Sequence, residues 1–218
     1  RPMPSSNRPL PTADRPMSPS PRCSTEQRQA EIVAAALLLA RDSSPALITT
    51  SDIAAAIGVT QGAVFKHFAT KEAIWLACLR WVRTTLLDAM QAAAASASDA
   101  PFDALGAVFR AHVGFVVAHP GVPRVLFHEL QGPADSAAKR EVQGLLKDYR
   151  LLLQRLLEAE AARGTLAAGT DRDAAATLFV GIVQGLVMQA MAAGGVGAMK
   201  ARAAPLFAIF ERGTRAAR

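Results

Sequence analysis

One stretch constrains the fold of this chain more than any other: ITTSDIAAAIGVTQGAVFKHFATK, residues 48–71. Two short apolar patterns, one around Ile53 and one around Val64, are separated by Gly58, which can adopt the positive φ of a tight turn without a Cβ penalty. This spacing is typical of two helices that cross at a steep angle across a short turn. The stretch therefore predicts a helix-turn-helix, although a pair of packed short helices in any all-α protein would show the same spacing.

The side of the second helix that faces away from the apolar pattern carries small or hydrogen-bonding groups that can enter a major groove: Thr60, Gln61, Gly62, Lys66 and His67. Thr49 and Asp52 form a predicted capping box, and Thr60 and Thr70 are expected to cap the next two helices. Capped N-termini present free N–H groups toward phosphates. Lys71 lies in the first turn of its helix, where a positive charge opposes the helix dipole and slightly destabilises the helix. We therefore expect Lys71 to contact DNA.

The chain resembles the TetR family of one-component regulators through TTSDIAAAIGV, GAVFKHF and TKEAIW. The resemblance is strong from about Gln29 to Leu79 and only architectural beyond. It implies an all-α fold of about nine helices, in which a three-helix N-terminal domain with the helix-turn-helix precedes a larger C-terminal helical domain for ligand binding and dimerisation. The family usually has Tyr where this chain has Phe65, which cannot donate a hydroxyl to a phosphate. We therefore expect Lys66 and His67 to carry more of the backbone contact, within a candidate DNA-binding set of Thr49, Thr50, Ser51, Thr60, Gln61, Gly62, Phe65, Lys66, His67 and Lys71.

Composition agrees with an all-α class, because the chain is 51% apolar with only 6% aromatic residues. The net charge of +6 suggests a polyanionic partner, but its distribution is uneven. Residues 1–22 carry four Arg and one Asp, whereas residues 24–80 carry five basic and five acidic residues. Affinity for DNA would therefore depend on where Lys66, Lys71, Arg28 and the helix N-termini point.

The chain is predicted to divide into a Pro-, Ser- and Arg-rich disordered tail (1–22), a helix-turn-helix domain (23–70) and a ligand-binding and dimerisation domain (71–218). The tail is either simply solvated or a basic arm that adds phosphate contacts. Predicted helices run from about 24 to 41, 71 to 95, 125 to 130 and 136 to 163, the last with Leu145, Leu146, Tyr149, Leu152, Leu153 and Leu156 inward. Pro101 is expected in the first turn of the fifth helix, Thr170 and Asp173 are expected to form a capping box for the eighth, and the ninth should run toward Arg212.

Residues 174–199 contain no charged side chain, and Gly181 and Gly185 form a GxxxG pattern. A membrane span would have this pattern, but so would a soluble helix that is buried by its own domain and by a partner subunit. In the TetR family the last two long helices pair with their copies, which implies a homodimer. The predicted interface residues are Gly181, Gln184, Gly185, Met188, Phe207 and Phe210.

A predicted ligand pocket combines apolar walls with a few polar groups: Phe109, His112, Phe115, Phe127, His128, Tyr149 and Met188. The histidines lack the spacing of zinc ligands, and neither a cofactor nor a metal is expected. No nucleophile elbow, P-loop or dinucleotide fingerprint is present in the sequence, so no enzymatic role is expected. Cys23 and Cys78 are too few for a disulfide framework, and Cys78 lies within an apolar stripe that predicts a packed thiol.

The sequence thus predicts a cytoplasmic, nucleoid-associated, dimeric repressor that a small lipophilic inducer releases from a palindromic operator. A ligand-independent regulator or activator is one alternative. A membrane-associated helical interaction protein, with an accidental resemblance to a helix-turn-helix, is the other.

Overall fold

The computed structural model describes residues 24–132 and 135–217, and this part of the chain is all-α. Nine α-helices and one short 3-10 turn (Val196–Ala198) follow each other in the described residues. The helices are α1 (Thr25–Leu39), α2 (Thr50–Ala56), α3 (Gln61–Phe65), α4 (Lys71–Ala95), α5 (Asp103–Ala118), α6 (Val122–Leu130), α7 (Ala137–Ala162), α8 (Arg172–Ala192) and α9 (Met199–Thr214). The predicted fold class is confirmed, and the predicted tail lies outside the described residues.

Side-chain caps begin the first four helices, as the sequence predicts. Ser24, Thr49, Thr60 and Thr70 are the N-caps of α1 to α4, and each hydroxyl accepts a hydrogen bond of 3.1–3.2 Å from the N–H three residues later. At α2 the box is reciprocal, because Asp52 Oδ2 accepts from the Thr49 N–H at 2.8 Å. These caps satisfy backbone donors that the helices leave unpaired, and they fix where each short helix starts.

The start of α5 differs from the prediction. Pro101 precedes the helix, and Phe102 is the N-cap in a left-handed conformation with φ of 65°. A tertiary contact holds Phe102 there, since its N–H donates to Glu160 Oε1 at 3.1 Å and its ring is 1% exposed. The burial of Phe102 therefore offsets the strain of its backbone.

Two further details of the predicted helices are wrong. The cap of α8 is Asp171, whose carboxylate accepts from the N–H groups of Asp173 and Ala174, whereas the Thr170 hydroxyl donates to Ala167 O at 2.8 Å. In α7, Leu146 is not buried as expected but 39% exposed, whereas its neighbour Leu145 is buried.

α4 connects the two halves of the molecule. It packs against α1 and also against α5, α6 and α7. Buried apolar side chains form one continuous cluster from α1 to α9, with Ile32, Ile53 and Val64 at the end that holds the three small helices. An ion cluster adds to the seam between α4 and α7, since Arg83 lies 2.6 Å from Asp148 Oδ2 and 3.2 Å from Glu141 Oε2.

A sharp corner between α5 and α6 brings the larger half of the molecule against α1. The two helices are bent by 96°. At the corner, a Cβ added to Gly121 would lie 2.0 Å from Leu37 O and 2.9 Å from Arg41 N. Arg124 Nε also donates to Arg41 O at 3.1 Å. Only glycine permits this approach, so α6 begins directly on the end of α1.

Candidate nucleic-acid interface and internal cavity

The helix-turn-helix has the geometry that the sequence predicts. Gly58 lies in the turn with φ of 67°, while Ile53 and Val64 are fully buried between α2 and α3. Hydrogen bonds from the Thr49 backbone and hydroxyl lower the pKa of Asp52, so this cap is ionised at neutral pH. The apolar faces are thus held inward by packing and the N-terminus of α2 is held by its cap.

The predicted DNA-binding residues divide by exposure. The exposed members share one surface at α2 and α3: Thr49, Ser51, Thr60, Gln61, Gly62, Phe65 and Lys66. Phe65 is 45% exposed, whereas large aromatic rings are usually buried. Thr50 is different, because it is buried and its hydroxyl accepts from Gln61 Nε2 at 2.9 Å. Thr50 therefore positions Gln61, and a contact between Thr50 and DNA is not supported.

His67 and Lys71 are partly buried. Nδ1 of His67 is buried without a hydrogen-bond partner among the described residues, so only the other side of the ring faces outward. The carbonyl of His67 accepts from Gln29 Nε2 at 3.2 Å, a link between α1 and the end of α3 that sequence reasoning missed. Lys71 Nζ donates to Ala46 O at 3.0 Å and would have to leave this bond to reach a phosphate.

A cavity of about 90 Å³ lies inside the larger half of the molecule, where α4, α5, α6, α7 and α8 converge. Four of the predicted pocket residues line it: His112, Phe115, Phe127 and Tyr149. The rest of the wall is almost wholly aliphatic: Leu86, Val116, Val122, Pro123, Leu126, Leu130, Val142, Leu145, Leu146, Val180, Val183, Gln184 and Val187.

Three predicted pocket residues lie elsewhere. Phe109 is fully buried behind the cavity, in ring contact with Phe179 at 5.3 Å between centroids. His128 lines a separate open cleft together with Lys71 and Glu72. Met188 is 56% exposed on the outer side of α8. Helical periodicity could not tell which side of each helix faces the cavity.

One hydrogen bond crosses the cavity wall, from α5 to α7. His112 Nδ1 and Tyr149 Oη are 3.0 Å apart. Burial lowers the pKa of His112 to about 4, and burial also raises the pKa of Tyr149. Both groups are therefore neutral at pH 7, and the cavity carries a polar but uncharged pair.

The outer face of α8 and α9 exposes several large apolar side chains. Leu178, Met188 and Ile209 are 54–57% exposed, and Cβ atoms added at Gly181 and Gly185 would meet nothing within 4 Å. Two predicted interface residues do not belong to this face. Phe210 is 2% exposed, and Phe207 is half-buried with its ring 5.6 Å from that of Phe109, so both pack in the core of the same protomer.

By length and composition, α8 is also the one helix among the described residues that could cross a membrane. Of the most apolar 18-residue stretch of α8, 39% is buried within the described chain. Core helices of soluble proteins share these properties, so α8 is weak evidence for a span. No group of three or more His, Cys, Asp or Glu suited to a metal ion occurs within residues 24–132 and 135–217.

Residues 32–78, from α1 to the first turns of α4, match the family model of bacterial regulatory proteins of the tetR family. No curated protein matched the sequence.

Solved structures of similar fold cover most of the chain. The fatty acid degradation regulator FadR from Bacillus halodurans has a TM-score of 0.75 and 20% identity, over 84% of this chain and 94% of that chain. FadR from Bacillus subtilis in complex with stearoyl-CoA has a TM-score of 0.73 and 18% identity, over 84% and 98%. SmeT, the repressor of the Stenotrophomonas maltophilia efflux pump SmeDEF, has a TM-score of 0.69 and 20% identity, over 88% and 92%.

The match covers the helix-turn-helix, and the likeness in fold extends through the larger helical half. Residues 32–78 are thus similar to the N-terminal region of bacterial regulatory proteins of the tetR family, and the described chain shares the fold of these solved regulators.

Proposed function

We propose that this protein is a homodimeric repressor that leaves a palindromic operator when a small lipophilic inducer enters the cavity between α4 and α8. The observation that carries the proposal is the double role of α4. Near its N-terminus, Cys78 packs on α1 with Sγ 3.8 Å from Val33 O, and further along Leu86 is part of the cavity wall. A change in the cavity therefore acts on a helix that also contacts the DNA-binding head, which consists of α1, α2 and α3.

A second connection runs through α6. Val122 and Pro123 line the cavity, and Gly121 immediately before them touches the end of α1. Outward movement of α6 would press on Leu37 and Arg41. Through both connections a wider cavity would displace α1 to α3. A ligand that binds the wider conformation more tightly would then have the differential affinity that a population shift requires.

The apolar outer face of α8 and α9 supports pairing of two copies. In a symmetric dimer the same patch meets itself, and small residues such as Gly181 permit close helix approach. Two heads would then read half-sites about 34–36 Å apart, or a multiple of that distance. Because residues 24–80 carry no net charge, we expect local contacts such as Lys66, instead of a general basic field, to provide the affinity.

The stearoyl-CoA in the Bacillus subtilis structure belongs to that protein, and the inducer of this chain is a separate question. We place the protein in the cytoplasm, on the nucleoid. Its partners would be operator DNA, a small-molecule effector and a second copy of itself.

A fluorescence anisotropy titration on the DNA that flanks this protein's own gene tests the proposal, with random DNA as competitor at a fixed salt concentration. We expect tight binding that the competitor does not remove, and release of the labelled DNA by a lipophilic compound. Tight binding that no compound weakens would indicate a ligand-independent regulator. Binding that random DNA abolishes would contradict a specific repressor.

A further inference from the structure

The wall of the internal cavity has no ionised group. None of its described lining residues is Lys, Arg, Asp or Glu, and its histidine is neutral because burial lowers the pKa of His112 to about 4. A carboxylate or phosphate that entered would lose its hydration and gain no countercharge. Such burial of an unpaired ion is strongly unfavourable.

In the hydrogen bond between Tyr149 and His112, the donor and the acceptor can be assigned. Tyr149 is 2% exposed, and His112 Nδ1 is the partner of its hydroxyl among the described residues. A buried phenol proton needs an acceptor, so the Tyr149 hydroxyl donates to Nδ1. A neutral imidazole that accepts at Nδ1 carries its proton on Nε2.

This Nε2–H is available to a ligand. His112 lines the cavity and is partly exposed, whereas its partner Tyr149 is buried. Within residues 24–132 and 135–217, the ring of His112 makes its hydrogen bond through Nδ1 and none through Nε2. Gln184, the other polar lining residue, is exposed to solvent and therefore lies at the mouth of the cavity.

The size of the cavity adds a mechanical consequence. A dry protein cavity of about 150 Å³ holds one benzene molecule, whereas this one measures about 90 Å³. A ring or a medium-length chain that enters the cavity fully would therefore separate the surrounding helices. Its affinity would be higher for a wider conformation than for the one described.

We propose that the cavity selects an uncharged, mainly apolar ligand whose hydrogen-bond acceptor, such as a ketone or ester oxygen, is bound by Nε2–H of His112. This inference rests on the proposed function, because it names the chemical class of the effector.

Matched compounds of one shape test it. Each scaffold, a phenyl ring or a medium-length alkyl chain, is used as the methyl ketone, as the analogue with a methylidene in place of the carbonyl oxygen, and as the carboxylate. Calorimetry on the full chain without DNA measures binding. We expect the ketone to bind about tenfold more tightly than the methylidene analogue and at least about 100-fold more tightly than the carboxylate.

Three variants identify the residue responsible. His112→Phe should reduce the affinity for the ketone to that for the methylidene analogue. His112→Gln, which keeps an N–H donor, should retain part of the preference even where His112→Phe fails to fold. His128→Phe is the matched control, because His128 lies outside the cavity, and it should retain the full preference.

The results separate this inference from the proposed function. A carboxylate that binds as tightly as its ketone, a methylidene analogue that equals the ketone in the unchanged chain, or a complete lack of binding by every scaffold would overturn the inference. If the ketones bind as expected but leave the anisotropy of operator DNA unchanged, the inference stands and induced release is wrong.

Discussion

Lys66 is the exposed cation at the end of α3, the helix expected to enter the major groove. Replacement of Lys66 by Ala should weaken binding to operator and to random DNA alike, because a lysine that contacts phosphate reads charge and not sequence. The slope of log affinity against log salt should fall by about one for each recognition helix. Anisotropy titrations over a range of salt concentrations measure this slope.

Lys147→Ala is the matched control, since Lys147 is exposed on α7, away from α2 and α3. Both variants remove one positive charge. Equal slopes for the two variants would exclude Lys66 from the interface.

His112 should make the fold sensitive to acid. Its pKa is about 4 in the folded chain against 6.5 for an unperturbed histidine, so the unfolded chain binds more protons between these values. Stability from this group is therefore complete above pH 6.5 and falls as the pH decreases toward 4. The expected loss is about 3 kcal/mol across that window.

Urea unfolding of His112→Gln at several pH values would measure this contribution as a shallower pH dependence than that of the unchanged chain. His128→Gln, at a histidine outside the cavity, should keep the original dependence. If His112→Gln has the same pH dependence as the unchanged chain, His112 is not neutral by burial.

Among the elements, the corner between α5 and α6 leaves no room for a side chain at Gly121. Gly121 has φ of −77°, which any residue adopts, so the cost of a side chain there is steric. Gly121→Ala would bring a Cβ against the backbone of Leu37 and Arg41, which cannot rotate away. We expect a loss of about 1–3 kcal/mol in the free energy of unfolding.

Gly114→Ala in α5 is the control, because a Cβ there meets nothing within 4 Å. Replacing a helical glycine by alanine in open space should stabilise by about 0.5–1 kcal/mol. Denaturant unfolding of the two variants should therefore give opposite signs. A neutral Gly121→Ala would show that α6 is free to move off α1.

The same elements show how far local sequence signals reach. Thr49, Thr60 and Thr70 were predicted as caps because a hydroxyl before a helix acts on its own neighbours. Phe102 could not be predicted, since the contact that holds it comes from Glu160, which is 58 residues away. At α8 the predicted cap Thr170 was wrong, because its hydroxyl donates back to Ala167 O and Asp171 is the N-cap.

At the scale of the whole molecule, the pairing of two copies depends on the open face of α8 and α9. Gly181→Leu should be tolerated by the isolated protomer, because space around its Cβ is free, but it should separate helices that approach across a dimer. Light scattering should then find a monomer, and operator binding should weaken with it. The chain should keep its helix content by circular dichroism.

Gly114→Leu introduces the same side chain in open space on α5 and should leave the dimer intact. A Gly181→Leu chain that still dimerises would place the interface elsewhere. Sequence periodicity assigned Phe207 and Phe210 to this interface although both turn inward. An apolar side chain buried in its own protomer and one buried by a partner have the same pattern, and only the fold distinguishes them.

The buried thiol of Cys78 can report how often α4 separates from α1. Its thiol is fully buried where α4 meets α1, and burial raises its pKa to about 12, so no reactive thiolate forms while that seam is closed. In a Cys23→Ser background, the rate at which an alkylating reagent consumes Cys78 therefore measures how often the DNA-binding head separates from its connecting helix. The alkylation rate of one native thiol therefore reports how often α4 and α1 separate, and no label has to be attached.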